Sequence, residues 1–255
     1  MIGPSQKSVA EFYDKLSVDY DAMTGSAKRL TREEGMVREL VHRYGISSAV
    51  DAGCGTGVHA CLLARLGVEV TGLDVSHEML TSAAARAGRM GLKVTWVESA
   101  FGDMRTKIQG HVGAVFCLGN SLAHLLSGKE VLKALRSFRA VLETKGVLFL
   151  QILNYDAIMS RGLRVQSVKE EGDRLFIRFY DFERRRIRFN ILKLRRRPDG
   201  FAHELDSVYV RPLGSTELRD SLATAGFHKI TMFGNARLEK FHPVTSVDVF
   251  VVARK

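Results

Sequence analysis

Residues 50–57, Val50-Asp51-Ala52-Gly53-Cys54-Gly55-Thr56-Gly57, constrain this chain more than any other stretch. A hydrophobic run ends at an acid, and a turn with three glycines leads into a segment of helical spacing. Glycine supplies positive φ and lets a ligand approach the backbone closely. Free N–H groups at the following helix start favour an acidic ligand group. The dinucleotide fingerprint G-x-G-x-x-G fits at Gly53 and Gly55 but fails at Val58, and the extra glycine stands one residue early, at Gly57. A nicotinamide-dependent oxidoreductase therefore fits poorly.

Apolar runs and helical spacings alternate downstream. Ala49-Val50 reads as a first strand, and Val58 to Leu66 as a helix ended by Gly67. Val68 to Leu73 reads as a second strand closing at Asp74. A helix over 76–87, a third strand over 94–97 and a fourth over 113–118 follow. An amphipathic helix over 127–143, ended by Gly146, leads to a fifth strand over 147–153. This repeated strand–helix order implies a parallel sheet. Ahead of it, residues 28–44 carry apolar side chains three and four apart, closed by Gly45. Residues 8–26, with Phe12-Tyr13-Asp14 and Asp19-Tyr20-Asp21, read as a short, polar, aromatic lid rather than a core element.

Several polar residues fall at strand ends, where α/β sheets bind ligands. Asp74 stands where a nucleoside ribose meets such a fold, its two oxygens able to accept from both hydroxyls. Its other reading is a cap for helix 76–87, which Ser76 can supply instead. Met79 is either core or a thioether packed on an adenine face. Asp103, after the third strand, can accept from an adenine amino group. Directly after the fourth strand comes Gly119-Asn120-Ser121-Leu122-Ala123-His124-Leu125. Asn120 offers a donor and an acceptor there, and His124 is a base or a structural histidine. Arg29, by spacing alone, is an exposed residue at a helix start.

Residues 164–213 change character. The stretches 175–180 and 187–191 alternate as half-buried strands do, Pro198-Asp199-Gly200 signals a turn, and 208–210 resumes the strand pattern before Pro212. This reads as an antiparallel insertion that covers the ligand end of the sheet or mediates assembly as a homo-oligomer. The alternation slips near Leu192. A helix from Ser215 to Ala225 and two closing strands, 230–233 and 247–252, bring the main sheet to seven. The chain divides into a lid and core (1–163), the insertion (164–213) and the rest of the core sheet (214–255).

Charge limits the partners. Residues 161–197 hold 13 Arg or Lys against five acids, a net +8 within a total of +10. A basic stretch can grip nucleic acid. The aromatic–basic interleaving of an RNA module is absent, so a small-molecule partner is favoured and nucleic acid is not. No apolar run approaches the ~20 residues that span a membrane. Met1 to Lys7 carry no apolar signal core. Cys54, Cys61 and Cys117 show no metal spacing and an odd count, which points to a reduced, cytoplasmic protein with no metal site.

The order acid-x-Gly-x-Gly-x-Gly resembles the first motif of class I S-adenosylmethionine (SAM) methyltransferases. The resemblance covers 49–156 well and 213–255 loosely. Within that class, Cys117–Leu125, Asn154-Tyr155-Asp156 and Phe233-Gly234-Asn235 resemble glycine N-methyltransferase and the bacterial glycine/sarcosine N-methyltransferases. The resemblance implies a Rossmann-like α/β fold with a seven-stranded, mostly parallel sheet and a β-rich substrate insertion. It also implies roles. Asp51, Gly53, Cys54 and Gly55 would hold the methionine portion of SAM, Asp74 and Val75 the ribose, and Met79, Asp103 and Met104 the adenine. Leu118 would meet the cofactor through its backbone, Arg29 its carboxylate, and Tyr20 the region of the methyl group. Asn120, Asn154, Tyr155 and Tyr209 would approach the acceptor. One departure stands out: those enzymes carry an arginine before Asn-Tyr-Asp that grips the acceptor carboxylate, and here it is Leu153. Leucine cannot make that bidentate, charge-assisted pair. Either the acceptor is not a simple amino acid, or another cation such as Arg211 takes over. The resulting expectation is a SAM-dependent methyltransferase acting by in-line displacement on a small-molecule amine or hydroxyl. The rival readings are an RNA or protein methyltransferase and a non-catalytic SAM-binding module.

Overall fold

A computed structural model describes residues 8–255; the reading of Met1 to Lys7 lies outside them. The chain starts with helix α1 (Val9–Thr24), whose Ser8 and Glu11 form a reciprocal capping box. This corrects the expectation of a lid rather than a core element. Phe12, Leu16 and Met23 recur along one stripe and are buried in a cluster with Phe176, Ile191 and Val208. The polar impression came from Asp14, Asp19 and Asp21, each of which finds a partner across the fold. Gly25, at φ +69°, turns the chain into α2 (Ser26–Tyr44).

The β-α repeat follows as β1 (Ser48–Ala52), α3 (Val58–Arg65), β2 (Glu69–Asp74), α4 (His77–Arg89), β3 (Thr95–Glu98), the short α5 (Met104–Lys107) and β4 (Val112–Cys117). Then come α6 (Gly128–Val141), β5 (Leu142–Leu153) and α7 (Tyr155–Arg161). Gly146 does not end a helix as expected. Helix α6 stops at Val141, and β5 begins at once, with a register shift against β4 between Val112 and Ala114. The chain closes with β6 (Val165–Glu171), β7 (Arg174–Phe182), β8 (Ile187–Arg197), β9 (Gly200–Val210), α8 (Ser215–Thr224), β10 (His228–Phe233) and β11 (Asp248–Arg254).

The main sheet has seven strands in the order β10-β11-β5-β4-β1-β2-β3, and only β11 runs against the others. The middle strands are buried on both faces, as in sheets covered by helices on each side. Strands β6 to β9 form a separate antiparallel sheet. Its β8 pairs with both neighbours without a break through Leu192, so the expected slip is not there. The pattern misleads because Asn190 and Ile191 are consecutive and both buried, Asn190 by donating to Asp181 and accepting from Ser207. The apolar face of this sheet is what α1 covers. Lys15, Asp19 and Met23 fall on one side of α1, and its ion pairs with Asp206, Glu204, Arg174 and Lys193 lock the two together. Seven of the 13 basic residues in 161–197 are in ion pairs within the protein. No helix among the described residues is long and apolar enough to cross a membrane.

Candidate active site

The glycine turn lies between the end of β1 and the start of α3. The Gly53 and Cys54 N–H groups both donate to the Leu73 carbonyl, at 2.7 and 3.0 Å, which ties the loop to β2. Gly53 has φ +73°, and a Cβ there would sit 2.8 Å from Ser121. Gly57 has φ +77°, and its Cβ would collide with Ala83 of α4 and Trp96 of β3. The glycine that arrives one residue early therefore serves the close packing of α3 on α4.

A recess of about 30 Å³ opens over this turn, lined by Tyr20, Arg29, Gly53, Cys54, Gly55 and Leu118 among others. These six sequence candidates are thus brought together. Asp51, at the end of β1, is 1% exposed, and its Oδ2 has no hydrogen-bond partner. Burial raises its carboxyl to about 6, against the pull of His59 and the Ala60 N–H. Arg29 lies across the recess, held by Glu33 at 3.0 and 3.2 Å. Burial works to raise the Glu33 carboxyl, but hydrogen bonds from His59 and Arg29 overcome it and hold it well below the carboxylate range. Two of the five N–H groups of Arg29 are used, leaving donors for a ligand. An arginine with free donors and a buried carboxylate with an orphaned oxygen, flanking a glycine-walled recess, suit the carboxylate and ammonium of an amino-acid moiety such as that of SAM.

Asp74 accepts from the Gly55 N–H at 2.8 Å and from the Ser76 N–H at 3.0 Å. Ser76, not Asp74, caps α4, through the Met79 N–H. Val75, Met79, Asp103 and Met104 line neither cavity described here. Met79 and Met104 are buried, and exposed Asp103 pairs with Lys133 at 2.7 Å. Helix α1 lies over this side. Asp14 accepts from Ser76 Oγ at 2.6 Å, and Asp21 binds Arg86 and Thr56.

A larger cavity of about 670 Å³ adjoins the recess and shares Tyr20, Arg29, His59, Leu118 and Gly119 with it. Its walls come from α1, the 118–124 loop, the end of β5 and the insertion sheet. Asn120 (φ +71°) lines it, with its amide engaged at both ends: Nδ2 donates to Tyr155 Oη at 2.9 Å, and Oδ1 accepts from the Leu153 N–H at 3.0 Å. Tyr155 lines it too. His124 Nε2 lies 2.8 Å from Tyr13 Oη, a residue sequence reasoning passed over although it sits in the aromatic segment 12–14. Burial pushes His124 down to about 4, offset in part by the Tyr209 backbone, and pushes Tyr13 well up. At neutral pH both groups are therefore uncharged, and a single hydrogen bond joins them. His124 and Tyr13 both line the cavity.

Three expected acceptor residues are placed elsewhere. Asn154 is 1% exposed and ties down the tail, donating to the Pro243 and Ser246 carbonyls and accepting from the Ala157 N–H. Tyr209 points to the far face of its strand, where its hydroxyl donates to Glu183 and Arg186 stacks 3.6 Å over its ring. Arg211, suggested as a replacement carboxylate grip, is committed to Glu217 and lines neither cavity. Arg178 of β7 does line the larger one, and sequence reasoning missed it.

A family model described as a methyltransferase domain matches residues 49–146. A glycine/sarcosine N-methyltransferase of Aphanothece halophytica is 29% identical over 240 residues, covering 91% of this chain and 85% of that protein. Among solved structures, a SAM-dependent methyltransferase from Clostridium acetobutylicum superposes with a TM-score of 0.78 at 15% identity, covering 95% of this chain and 98% of that one. A sugar N-methyltransferase from Streptoalloteichus gives 0.72 at 20% identity, covering 92% of each. The chain carries a methyltransferase domain over residues 49–146 and resembles the class I SAM-dependent methyltransferases. Within that class it resembles the glycine/sarcosine N-methyltransferase group.

Proposed function

We propose that the chain transfers the methyl group of SAM to the nitrogen of a small-molecule acceptor held in the 670 Å³ cavity. The observation that carries this reading is the continuity of that cavity with the glycine recess, through the walls shared by Tyr20, Arg29, Leu118 and Gly119. Bound SAM supplies an electrophilic methyl carbon on a sulfonium. An acceptor nitrogen held in the cavity would take that methyl by in-line displacement, with S-adenosylhomocysteine leaving and the ammonium proton passing to water. Alignment of this kind supplies ~7–11 kcal/mol of barrier lowering. Arg29 and Asp51 would hold the amino-acid end of the cofactor, and Asp74 its ribose.

His124 favours nitrogen over oxygen. A base whose conjugate acid sits at about 4 is too weak to draw a proton from an alcohol, whereas a neutral amine needs none removed first. Its part is to hydrogen-bond Tyr13 and so to fix the phenol at the cavity wall. The activities of two similar proteins, glycine/sarcosine and sugar N-methyltransferases, also favour nitrogen. The ion pairs that occupy most of the basic stretch favour a small acceptor over nucleic acid. Three buried free thiols fit a reducing cytoplasm.

The test is S-adenosylhomocysteine release from protein and SAM with three acceptor pools: small metabolites, total RNA and denatured protein. Release is expected with metabolites alone, and mass spectrometry should place the methyl on nitrogen. Release with RNA alone would overturn the reading.

A further inference from the structure

We propose that Arg178 and Tyr180 of the insertion form an oxyanion-binding subsite, so that the molecule methylated carries a carboxylate or phosphate besides its nitrogen. This rests on the methyl-transfer reading and narrows its acceptor.

Arg178 and Tyr180 are two apart on β7, hence on one face, and both line the 670 Å³ cavity. The Nε of Arg178 donates to Ser167 Oγ at 2.7 Å, which fixes the guanidinium and leaves its two terminal nitrogens. Among the described residues no carboxylate lies within ion-pair distance of it. The contrast with its own sheet is sharp. Arg164, Arg174, Arg186, Arg188, Lys193 and Arg195 all have carboxylate partners. Unpaired charges belong in water and confined ones are paired, so Arg178, the arginine of this sheet that lines the cavity, reverses the rule. Burial lowers its pKa, and the charges nearest to it are the phenols of Tyr20, Tyr180 and Tyr13 and the cation of Arg29, none of them an anion at neutral pH.

Tyr180 is an independent sign. It is 2% exposed, yet its hydroxyl has no hydrogen-bond partner. A buried hydroxyl left so is costly. Gln166 sits at the bulge where β6 shifts register against β7, lines the same cavity and also keeps an unpartnered amide oxygen. Bulges re-aim side chains. Two guanidinium N–H groups and one phenol O–H, all without partners in one wall, match the lone pairs of an oxyanion, and arginine grips a carboxylate or phosphate in bidentate fashion. Leu153, where the similar enzymes carry their arginine, lines the same cavity and offers no charge.

The experiment separates a metabolite pool on an anion exchanger at pH 11. Most amines are largely neutral there, so molecules with a carboxylate or phosphate are retained, and phenols and thiols retained with them are removed by a second separation near pH 6. S-adenosylhomocysteine release by the wild-type chain should follow the retained fraction, and sorting that fraction into carboxylates and phosphates identifies the anion. With the active retained fraction, R178M should raise KM on the order of 100-fold while SAM binding by calorimetry stays within about twofold. R178K, which keeps the charge but not the fork, should raise KM on the order of tenfold and guards against a misfolded R178M. Y180F should raise KM less than either, with kcat kept. Release confined to the unretained fraction, or an unchanged KM in both arginine variants, would overturn this inference alone. Release from neither fraction would overturn the methyl-transfer reading and this one with it.

Discussion

The role assigned to Gly57 can be separated from backbone strain by a matched pair of substitutions. Gly57 and Gly67 stand at the two ends of α3 with nearly the same left-handed φ, +77° and +81°. Alanine at either pays the left-handed cost of about 1–2 kcal/mol, and both lose the same flexibility in the unfolded chain. Around Gly67 nothing lies within 4 Å. At Gly57 the added methyl would meet Ala83 Cβ at 2.8 Å, Trp96 at 2.9 Å and the Ala83 Cα at 3.3 Å. The last is helix backbone and cannot swing aside, and overpacking of this kind costs about 1–3 kcal/mol. G67A should therefore lose about 1–2 kcal/mol, and G57A about 2–5 kcal/mol. Urea unfolding with matched slopes measures both. Equal losses, within about 0.5 kcal/mol, would refute the claim that close approach of α3 to α4 demands the glycine.

Two further outcomes are expected. With its carboxyl raised to about 6, Asp51 is charged above that pH and neutral below it. SAM affinity by calorimetry should be flat from pH 7 to 8 and fall towards about tenfold per unit below 6, and D51N should bind weakly with no such slope; an unchanged wild-type slope in D51N removes Asp51 from the cofactor site. Asp21→Ala leaves Arg86, 8% exposed, without its carboxylate. Because Asp21 itself is half-exposed, the loss should be about 1–3 kcal/mol in urea, with faster proteolysis within α1; a variant as stable as wild type would show that this pair does not hold the helix down.

Local pattern carried much of the fold. The central strands of the parallel sheet announce themselves as short, mostly apolar runs ending at Asp51, Asp74 or the Leu118 loop, because most of their side chains are buried. The order of strands and helices then leaves few topologies. Helix α1 was hidden because its acids have partners far along the chain: Asp14 reaches Ser76 and Asp21 reaches Arg86. Within the site, spacing reaches only Gly53, Cys54 and Gly55 of the turn; Tyr20, Arg29 and Leu118 come from the family resemblance, since only the folded chain brings them to the same recess. The Tyr13–His124 contact spans 111 residues and leaves no trace in spacing. Arg178 sat unnoticed in a run of arginines. Only the register of the insertion tells which of them faces the cavity and which meet a carboxylate. Tyr209 and Arg211 failed for the same reason, since strand parity and a local acid, Glu217, decide where they point.

The pairing of α1 with β9 also has a consequence in time. Lys15 and Asp206 are 191 residues apart, and Phe12 and Leu16 find their apolar partners on β7, β8 and β9. At ~5–20 residues per second of synthesis, about 10–40 s pass between the appearance of α1 and that of the strand that completes its berth. During that interval the glycine turn and the first strands can already assemble while one wall of the cavity is absent. Helix α1, made before the whole sheet it rests on, is thus among the last elements to dock, and the pocket closes only after the insertion has been made.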